Sequence, residues 1–141
     1  MNILLPVDGS GCSLRAAEEV VRLLAEWSEP PVVHLLQVHL PIPIGRVQAH
    51  VGADTLHAYY REESEAAMAE AGRLLAAKGV AYAAHVHVGQ PAEVIAKVAE
   101  ELAARMIVMG THGRTGVVGL VMGSVASRVV HLAPCPVLLI K

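Results

Sequence analysis

The part of the chain that decides its predicted fold is residues 106–140, MIVMGTHGRTGVVGLVMGSVASRVVHLAPCPVLLI. The rest of the chain is expected to follow the same pattern. This stretch begins with an apolar run of strand length, MIVMG, and ends with another, VLLI. Between them lie a glycine-rich segment and a helix-like segment from about Ser124 to Leu132, which APCP terminates. A buried strand, a helix and a second buried strand in this order predict parallel strands joined by a crossover.

The earlier part of the chain repeats this alternation. Further apolar runs that predict strands lie at 2–7, 32–38 and 80–88. Helical periods lie at 16–27, 57–78 and 92–105. Ser10 or Ser13 can cap the first helix, Gly79 occupies a C-cap position, and residues 45–56 are interpreted as a loop. The pattern predicts one α/β domain over residues 1–141, with a five-stranded parallel sheet covered on both faces by helices.

Composition excludes several classes of protein. The 141 residues are 54% hydrophobic but contain no apolar run of about 18, so no transmembrane helix is expected, and no signal peptide is apparent. A net charge of −2, three Tyr, one Trp and no Phe argue against nucleic-acid binding. Cys12 and Cys135 lie far apart, which favours small buried thiols in a reduced, cytoplasmic setting.

Two predicted strands end in turns of small residues. DGSG, residues 8–11, follows the first strand, and GTHG, residues 110–113, follows the fourth. Ligands of open parallel sheets bind at the carboxyl ends of the strands, where the strand order reverses. If these two strands are neighbours at that point, both turns border one crevice.

The glycine-rich segment has the composition of a phosphate site. Gly110, Gly113 and Gly123 allow the backbone to approach an anion closely. The start of the following helix, the Ser124 hydroxyl and the Arg114 guanidinium all favour phosphate. The segment is not a common P-loop, because the chain contains no Gly-Lys pair.

The spacing of these glycines is specific. Gly110 is followed by two residues, Gly113, nine residues, and then Gly123-Ser124. In this motif the chain resembles the universal stress protein family, in its nucleotide-binding branch. The resemblance extends to ILLPVDGS at 3–10, GQP at 89–91 and the last nineteen residues, 123–141. It implies a Rossmann-like sheet of the adenine nucleotide alpha hydrolase type, with strand order 3-2-1-4-5.

The resemblance also implies a site for ATP, with Mg²⁺ carried on the phosphates. Asp8 would meet the adenine or ribose beside Pro6 and Val7, and the Val38 backbone would read the adenine edge. Residues that would border the ribose are Met109 and Gly110. Residues that would contact the phosphates are Gly113, Arg114, Gly123, Ser124, Val125 and Ala126. Ala126 lacks the hydroxyl that some relatives carry at this position.

Simpler structural interpretations stand beside this one. The glycine segment can be a mobile connection, Asp8 a turn cap and Arg114 a solvated loop charge. His85 and His87 share a strand face, and His34 could lie on a neighbouring strand. Because no Cys, Asp or Glu stands at a matching spacing, solvent-facing or helix-covered histidines are favoured over a metal site.

No catalytic constellation is visible in the sequence. A phosphotransferase needs a base and usually a carboxylate metal site, whereas the predicted pocket offers Asp8 and His112. We therefore expect binding without efficient turnover, with slow hydrolysis left open. The alternative is an interaction or dimerisation module of the same fold without nucleotide. The adenylyl transferases and ATP pyrophosphatases of related fold need signatures that are absent here.

The last predicted strand points to self-association. Val137–Ile140 is apolar, and at a sheet edge it would expose unpaired backbone groups. Pairing with the same strand of a second copy around a two-fold axis would cover them. The resemblance implies the same homodimer. No membrane or nucleic-acid partner is expected.

Overall fold

A computed structural model describes residues 1–42, 52–114 and 122–141, and the structural statements below concern these residues. They form one parallel sheet in the order β3-β2-β1-β4-β5, flanked by helices. The strands are β1 (Asn2–Pro6), β2 (Val32–His39), β3 (Tyr82–Val88), β4 (Met106–Gly110) and β5 (Val137–Ile140). The helices are α1 (Gly11–Leu24), α2 (Ala53–Ala77), α3 (Pro91–Glu101) and α4 (Ser124–Leu132). The predicted fold and strand order are confirmed.

The sheet carries a separate apolar core on each face, because successive strand residues point to opposite sides. Ile3 and Leu5 of β1 pack with α1 and α2 on one face. Leu4 of β1 and Ile107 of β4 pack with α3 and α4 on the other. Burial on both sides explains why β1 and β4 are continuous apolar runs in the sequence.

The second helix starts earlier than the sequence predicts. α2 begins at Ala53 rather than residue 57, so residues 53–56 of the predicted loop are helical. Residues 45–51 of the predicted loop lie outside the described residues. The first turn of α2 is almost wholly exposed, so it carries no apolar period that could reveal it.

The third helix ends earlier than predicted, at Glu101 rather than residue 105. Ala103 adopts a left-handed conformation with φ 47°, and the Ala104 amide donates to the Ala99 carbonyl at 2.8 Å. This is a Schellman ending, in which glycine is the usual residue. No glycine in the sequence indicates this helix end, because an alanine occupies the left-handed position.

Two helix caps match the predicted positions. Of the two candidate serines, Ser10 is the N-cap of α1, and its side chain accepts the Ser13 amide at 3.2 Å. Gly79 follows the C-cap of α2 with φ +71°, and the next amide, of Val80, donates to the Leu75 carbonyl at 2.9 Å. Both ends therefore follow from local hydrogen bonding.

Gly79→Ala should lower the free energy of unfolding by about 1 kcal/mol, because a left-handed conformation strains a residue that carries a Cβ. Within the part of the chain that the structure describes, no heavy atom lies within 4 Å of the added Cβ, so the loss reports on the backbone conformation alone. Urea unfolding at constant m-value measures it. Gly79→Asn is the matched control and should retain most of the stability, because Asn tolerates this conformation. Equal losses in both variants would contradict the backbone explanation.

Candidate functional site

A crevice of about 390 Å³ lies at the carboxyl ends of β1 and β4, where the strand order reverses. Its volume is within the range of small-molecule sites. The structure brings most of the predicted site residues into its lining. These are Pro6, Val7, Asp8, Val38, Met109, Gly110, Gly113, Gly123, Ser124, Val125 and Ala126.

The turn after β1 presents a carboxylate to the crevice. The Ser10 amide donates to Asp8 Oδ1 at 2.9 Å, and Gly9 between them has φ +79°. The other carboxylate oxygen, Oδ2, lies 2.7 Å from the point where a Cβ on Gly113 would stand. Asp8 therefore caps its own turn and also faces the glycine segment, so the two sequence interpretations of this residue are compatible.

The two ends of the glycine segment meet each other. The Gly123 amide donates to the Thr111 carbonyl oxygen at 2.7 Å. A Cβ on Gly123 would lie 3.0 Å from the same oxygen, which is tighter than ordinary packing. The close approach sets the start of α4 directly beside the turn that follows β4.

The first turn of α4 faces the crevice with its positive end. Gly123 is the N-cap and has no side chain to accept the first amides, and the first helical bond runs from Ser127 to the Gly123 carbonyl. The amides of Ser124, Val125 and Ala126 precede that bond, so they have no carbonyl partner within the helix. Together with the helix dipole, this arrangement favours an anion.

The end of β2 turns one backbone edge toward the same crevice. The Leu36 carbonyl accepts the Val7 amide at 2.8 Å, so the peptide groups of Leu36 face β1. Two residues later, Val38 directs its amide and carbonyl to the same side, beyond the last β1–β2 register pair, Pro6 and Leu36. A donor and an acceptor on one residue thus point past the end of β1, where the crevice opens.

Arg114 is the predicted site residue that the structure leaves out of the lining. Its Nη2 atom lies 3.0 Å from the position of a Cβ on Gly9, and Nη1 lies 3.8 Å from Glu63 Oε2 on α2. Both charged side chains are about half exposed, with 56% and 42% of their surface accessible. The geometry favours the alternative interpretation, a solvated loop charge in a weak ion pair.

The lining also contains residues that sequence reasoning did not select. They are Ser13, Leu36, Pro91, Ile95 and Thr111. His112, which the sequence already indicates as a pocket residue, also lies in the lining. Leu36 could have been found from Val38, because residues two apart on a strand share a face. Pro91 and Ile95 are one helical turn apart, but only the topology shows that α3 crosses to this edge.

The histidines of β2 and β3 form a hydrogen-bonded pair. His34 Nδ1 lies 2.9 Å from His85 Nε2, with ring centroids 5.1 Å apart. One nitrogen donates and the other accepts, so each ring provides a partner for one nitrogen of the other. In the described ranges no group of three or more His, Cys, Asp or Glu side chains is arranged to hold a metal ion. Burial, and secondly the neighbouring His85, lower the pKa of His34 below its usual value.

Stability should fall as the pH drops below about 6.5, the ordinary pKa of histidine. The pKa of His34 is lowered in the folded state, so the unfolded chain binds more protons between the two pKa values, and acid favours unfolding. Urea midpoints between pH 7.5 and pH 5 measure the slope, at roughly half-unit steps across the window set by the histidine pKa. His34→Gln should flatten it, whereas His131→Gln, at an exposed position, should not. An unchanged slope in His34→Gln would contradict this origin.

The cysteines are half-buried rather than buried, which corrects the expectation from sequence. Cys12 lies in the first turn of α1, and its Sγ accepts Arg15 Nη2–H at 2.9 Å. Burial raises the pKa of Cys135. Cys12 also contacts the end of β4 at Gly110, which fixes α1 beside the crevice.

Comparisons with known proteins agree with this geometry. The model of the Universal stress protein family matches residues 1–141. Universal stress protein MJ0531 of Methanocaldococcus jannaschii is 33% identical over 140 residues, covering 99% of this chain and 81% of the relative. No helix in the described ranges has the length and apolar character needed to cross a membrane.

Two solved structures share the whole fold. Hypothetical protein MJ0577 superposes with a TM-score of 0.85 at 29% identity, covering 99% of this chain and 94% of that one. The universal stress protein from Archaeoglobus fulgidus in complex with dAMP superposes with a TM-score of 0.65 at 26% identity, covering 100% and 98%. A relative of this fold therefore binds an adenine nucleotide.

Proposed function

The chain belongs to the universal stress protein family, and from this membership and its crevice we propose that it binds ATP as a nucleotide-dependent stress-response or regulatory protein, without efficient catalysis. The observation that carries the proposal is the junction of the glycine segment with the start of α4. There the Gly113 position, the Asp8 carboxylate and the first amides of α4 line one crevice. The dAMP complex of the Archaeoglobus fulgidus relative supports an adenine nucleotide.

The crevice offers different chemistry to the two ends of a nucleotide. The Val38 amide and carbonyl match the acceptor and donor on the edge of adenine, and aliphatic side chains such as Leu36 and Ile95 can flank the base. The amides at the start of α4 suit the phosphates. We propose a triphosphate rather than a monophosphate because the spacing of Gly110, Gly113 and Gly123-Ser124 resembles that of the nucleotide-binding branch of the family.

Mg²⁺ fits this arrangement as a companion of the phosphates. Hard oxygen ligands suit Mg²⁺, which typically keeps several waters and binds through phosphates and one or two carboxylates. Asp8 is the carboxylate in the crevice lining. When bound, the ion would neutralise phosphate charge. The Asp8 carboxylate is of the chemical type that Mg²⁺ accepts as a ligand.

Slow turnover follows from the side chains that are present. Among the described lining residues, Asp8 and His112 are the groups able to act as a base. His112 Nδ1 lies 3.0 Å from its neighbour Thr111 Oγ1, and Asp8 Oδ1 accepts the Ser10 amide. Both side chains make local contacts, which supports the proposal of slow turnover. From the family membership we further propose a cytoplasmic protein that holds ATP and changes its partners or shape with nucleotide state.

The first experiment identifies what the purified protein carries. The full chain, prepared without added nucleotide, is denatured, and the released small molecules are separated and identified by mass. Near-stoichiometric ATP would support tight binding with slow turnover, and ADP or AMP would shift the proposal toward a weak ATPase. No released nucleotide, with no binding in a titration with Mg-ATP to millimolar concentration, would favour the interaction module instead.

We also propose a homodimer through β5. The Thr111 amide donates to the Ile140 carbonyl and the Ile107 amide to the Pro136 carbonyl, so even-numbered residues of β5 face β4. Val137 and Leu139 therefore direct their amides away from β4, at the edge of the sheet. A second copy of β5 would find these groups and four half-buried apolar side chains.

Leu139→Pro should convert the dimer to a monomer, because it removes an outward-facing amide without removing a bond to β4. Light scattering at several protein concentrations measures the mass. Leu139→Ala is the matched control: it loses the side chain, keeps the amide and should remain dimeric. A wild-type mass equal to one chain at every concentration would refute the dimer, and a dimeric Leu139→Pro would refute this interface.

A further inference from the structure

A buried hydroxyl on α2 connects to both neighbours of Val38. Ser64 is 1% exposed, and its Oγ lies 2.6 Å from His39 Nε2 and 3.3 Å from Gln37 Oε1. It also lies 2.6 Å from the Tyr60 carbonyl one turn earlier in α2. We refer to Gln37, His39, Tyr60 and Ser64 as the Ser64 cluster.

The hydrogen bonds of the cluster fix the histidine tautomer. The Tyr60 carbonyl can only accept, and it lies 3.0 Å from His39 Nε2, so Nε2 carries the proton. The same N–H points toward Ser64 Oγ, which leaves the Ser64 proton for the Tyr60 carbonyl or Gln37 Oε1. Within the described residues, no buried side-chain nitrogen or oxygen is left without a partner. Gln37 and Ser64 are buried, and His39 and Tyr60 are half-buried. A hydrogen-bonded network of this kind is rigid.

The cluster lies on the far side of the sheet from the crevice. Gln37 and His39 flank Val38 and point toward α2, whereas the Val38 side chain lines the crevice. α2 also contacts the chain beyond the end of β2, because the Ile42 amide donates to Tyr60 Oη at 2.9 Å. On the β3 side, the His39 carbonyl accepts the Gly89 amide at 2.8 Å.

Residues 37–39 of β2 depend on these side-chain contacts because β1 no longer pairs with β2 at this point. The register between β1 and β2 ends at Pro6 and Leu36, two residues before Val38. On the side where β1 would continue, the peptide groups of Val38 face the crevice instead. The orientation of the Val38 peptide groups therefore depends on the contacts that Gln37 and His39 make with α2 on the opposite face of the sheet.

We infer that Ser64 is a positioning residue for base recognition: through Gln37 and His39 it holds the Val38 peptide groups at the angle that selects adenine. The inference rests on the proposed function. Adenine presents a donor beside an acceptor at its Watson–Crick edge, and guanine presents them in reverse order. A fixed amide and carbonyl therefore accept one base and leave unpaired groups against the other, which is a strong basis for discrimination.

The test compares the affinities for Mg-ATP and Mg-GTP of the full chain by titration calorimetry. Ser64→Ala should lower the ratio of ATP affinity to GTP affinity at least tenfold, chiefly by weakening ATP. Ala71→Gly is the matched control, because it alters a buried residue of the same helix outside the cluster. It lowers the stability of the helix and should leave the ratio unchanged.

A second variant approaches the cluster from the strand. His39→Phe keeps a ring but breaks the bonds to Ser64 and Tyr60, and it should lower the ratio as Ser64→Ala does. It decides the question if Ser64→Ala does not fold. An unchanged ratio in these variants, or equal affinity of the wild type for ATP and GTP, would overturn the inference while leaving the proposed function standing. A wild type that binds neither nucleotide would overturn both.

Discussion

Gly113→Val is expected to weaken ATP binding at least a hundredfold while leaving the chain folded. The Cβ of the new side chain would lie 2.7 Å from Asp8 Oδ2, so the carboxylate must move or the loop must shift. The added methyl groups would also occupy the place where we propose that phosphates approach. Gly113 is exposed and its φ is outside the left-handed region, so the backbone itself tolerates a side chain.

Calorimetric titration with Mg-ATP measures the loss of affinity, and urea unfolding shows whether the fold survives. Gly52→Val is the matched control, because no heavy atom of the described residues lies within 4 Å of a Cβ added there, and it should bind ATP like the wild type. Light scattering should give the same mass for Gly113→Val and the wild type, because β5 lies at the sheet edge. Full ATP affinity in Gly113→Val would refute the proposed phosphate position.

The sequence predicts the fold well because the deciding signals are local. β1 and β4 are buried on both faces, so each is a continuous apolar run whichever strands lie beside it. The Ser10 cap and the left-handed Gly79 are also set within a few residues. Ala103 shows the limit: an alanine adopts a left-handed conformation that propensity assigns to glycine, so the end of α3 could not be predicted.

The site is predicted in part for the same reason. The glycine spacing identifies two close approaches in the lining, because a Cβ on Gly113 would meet Asp8 and one on Gly123 would meet the Thr111 carbonyl. The Ser64 cluster could not be predicted, since it joins residues 27 positions apart through a helix whose start has no apolar period. Arg114 was selected by charge alone, and a guanidinium on a loop reaches several neighbours, so its partner Glu63 depends on the fold.

Gly110→Ala is expected to affect stability, whereas Gly113→Val is expected to affect ATP binding. Gly110→Ala should lower the free energy of unfolding by about 3 kcal/mol, the upper end of the usual cost of overpacking. A Cβ on Gly110 would lie 2.7 Å from Cys12 Cβ and 2.9 Å from the Cys12 carbonyl carbon, and the second contact is with backbone. Because φ is outside the left-handed region, the loss arises from contact and not from backbone strain.

The urea midpoint at unchanged m-value measures this loss. Gly11→Ala is the matched control. Among the described residues its Cβ would meet only the end of the flexible Arg15 side chain, at 3.4 Å, so it should change stability by less than about 0.5 kcal/mol. If Gly110→Ala were as stable as Gly11→Ala, then β4 and α1 would not be packed backbone to backbone. Two glycines of one motif thus serve different purposes: Gly110 lets α1 lie against β4, and Gly113 keeps the crevice open beside Asp8. Substitutions that separate stability from binding are therefore the direct test of which glycines the fold needs and which the nucleotide needs.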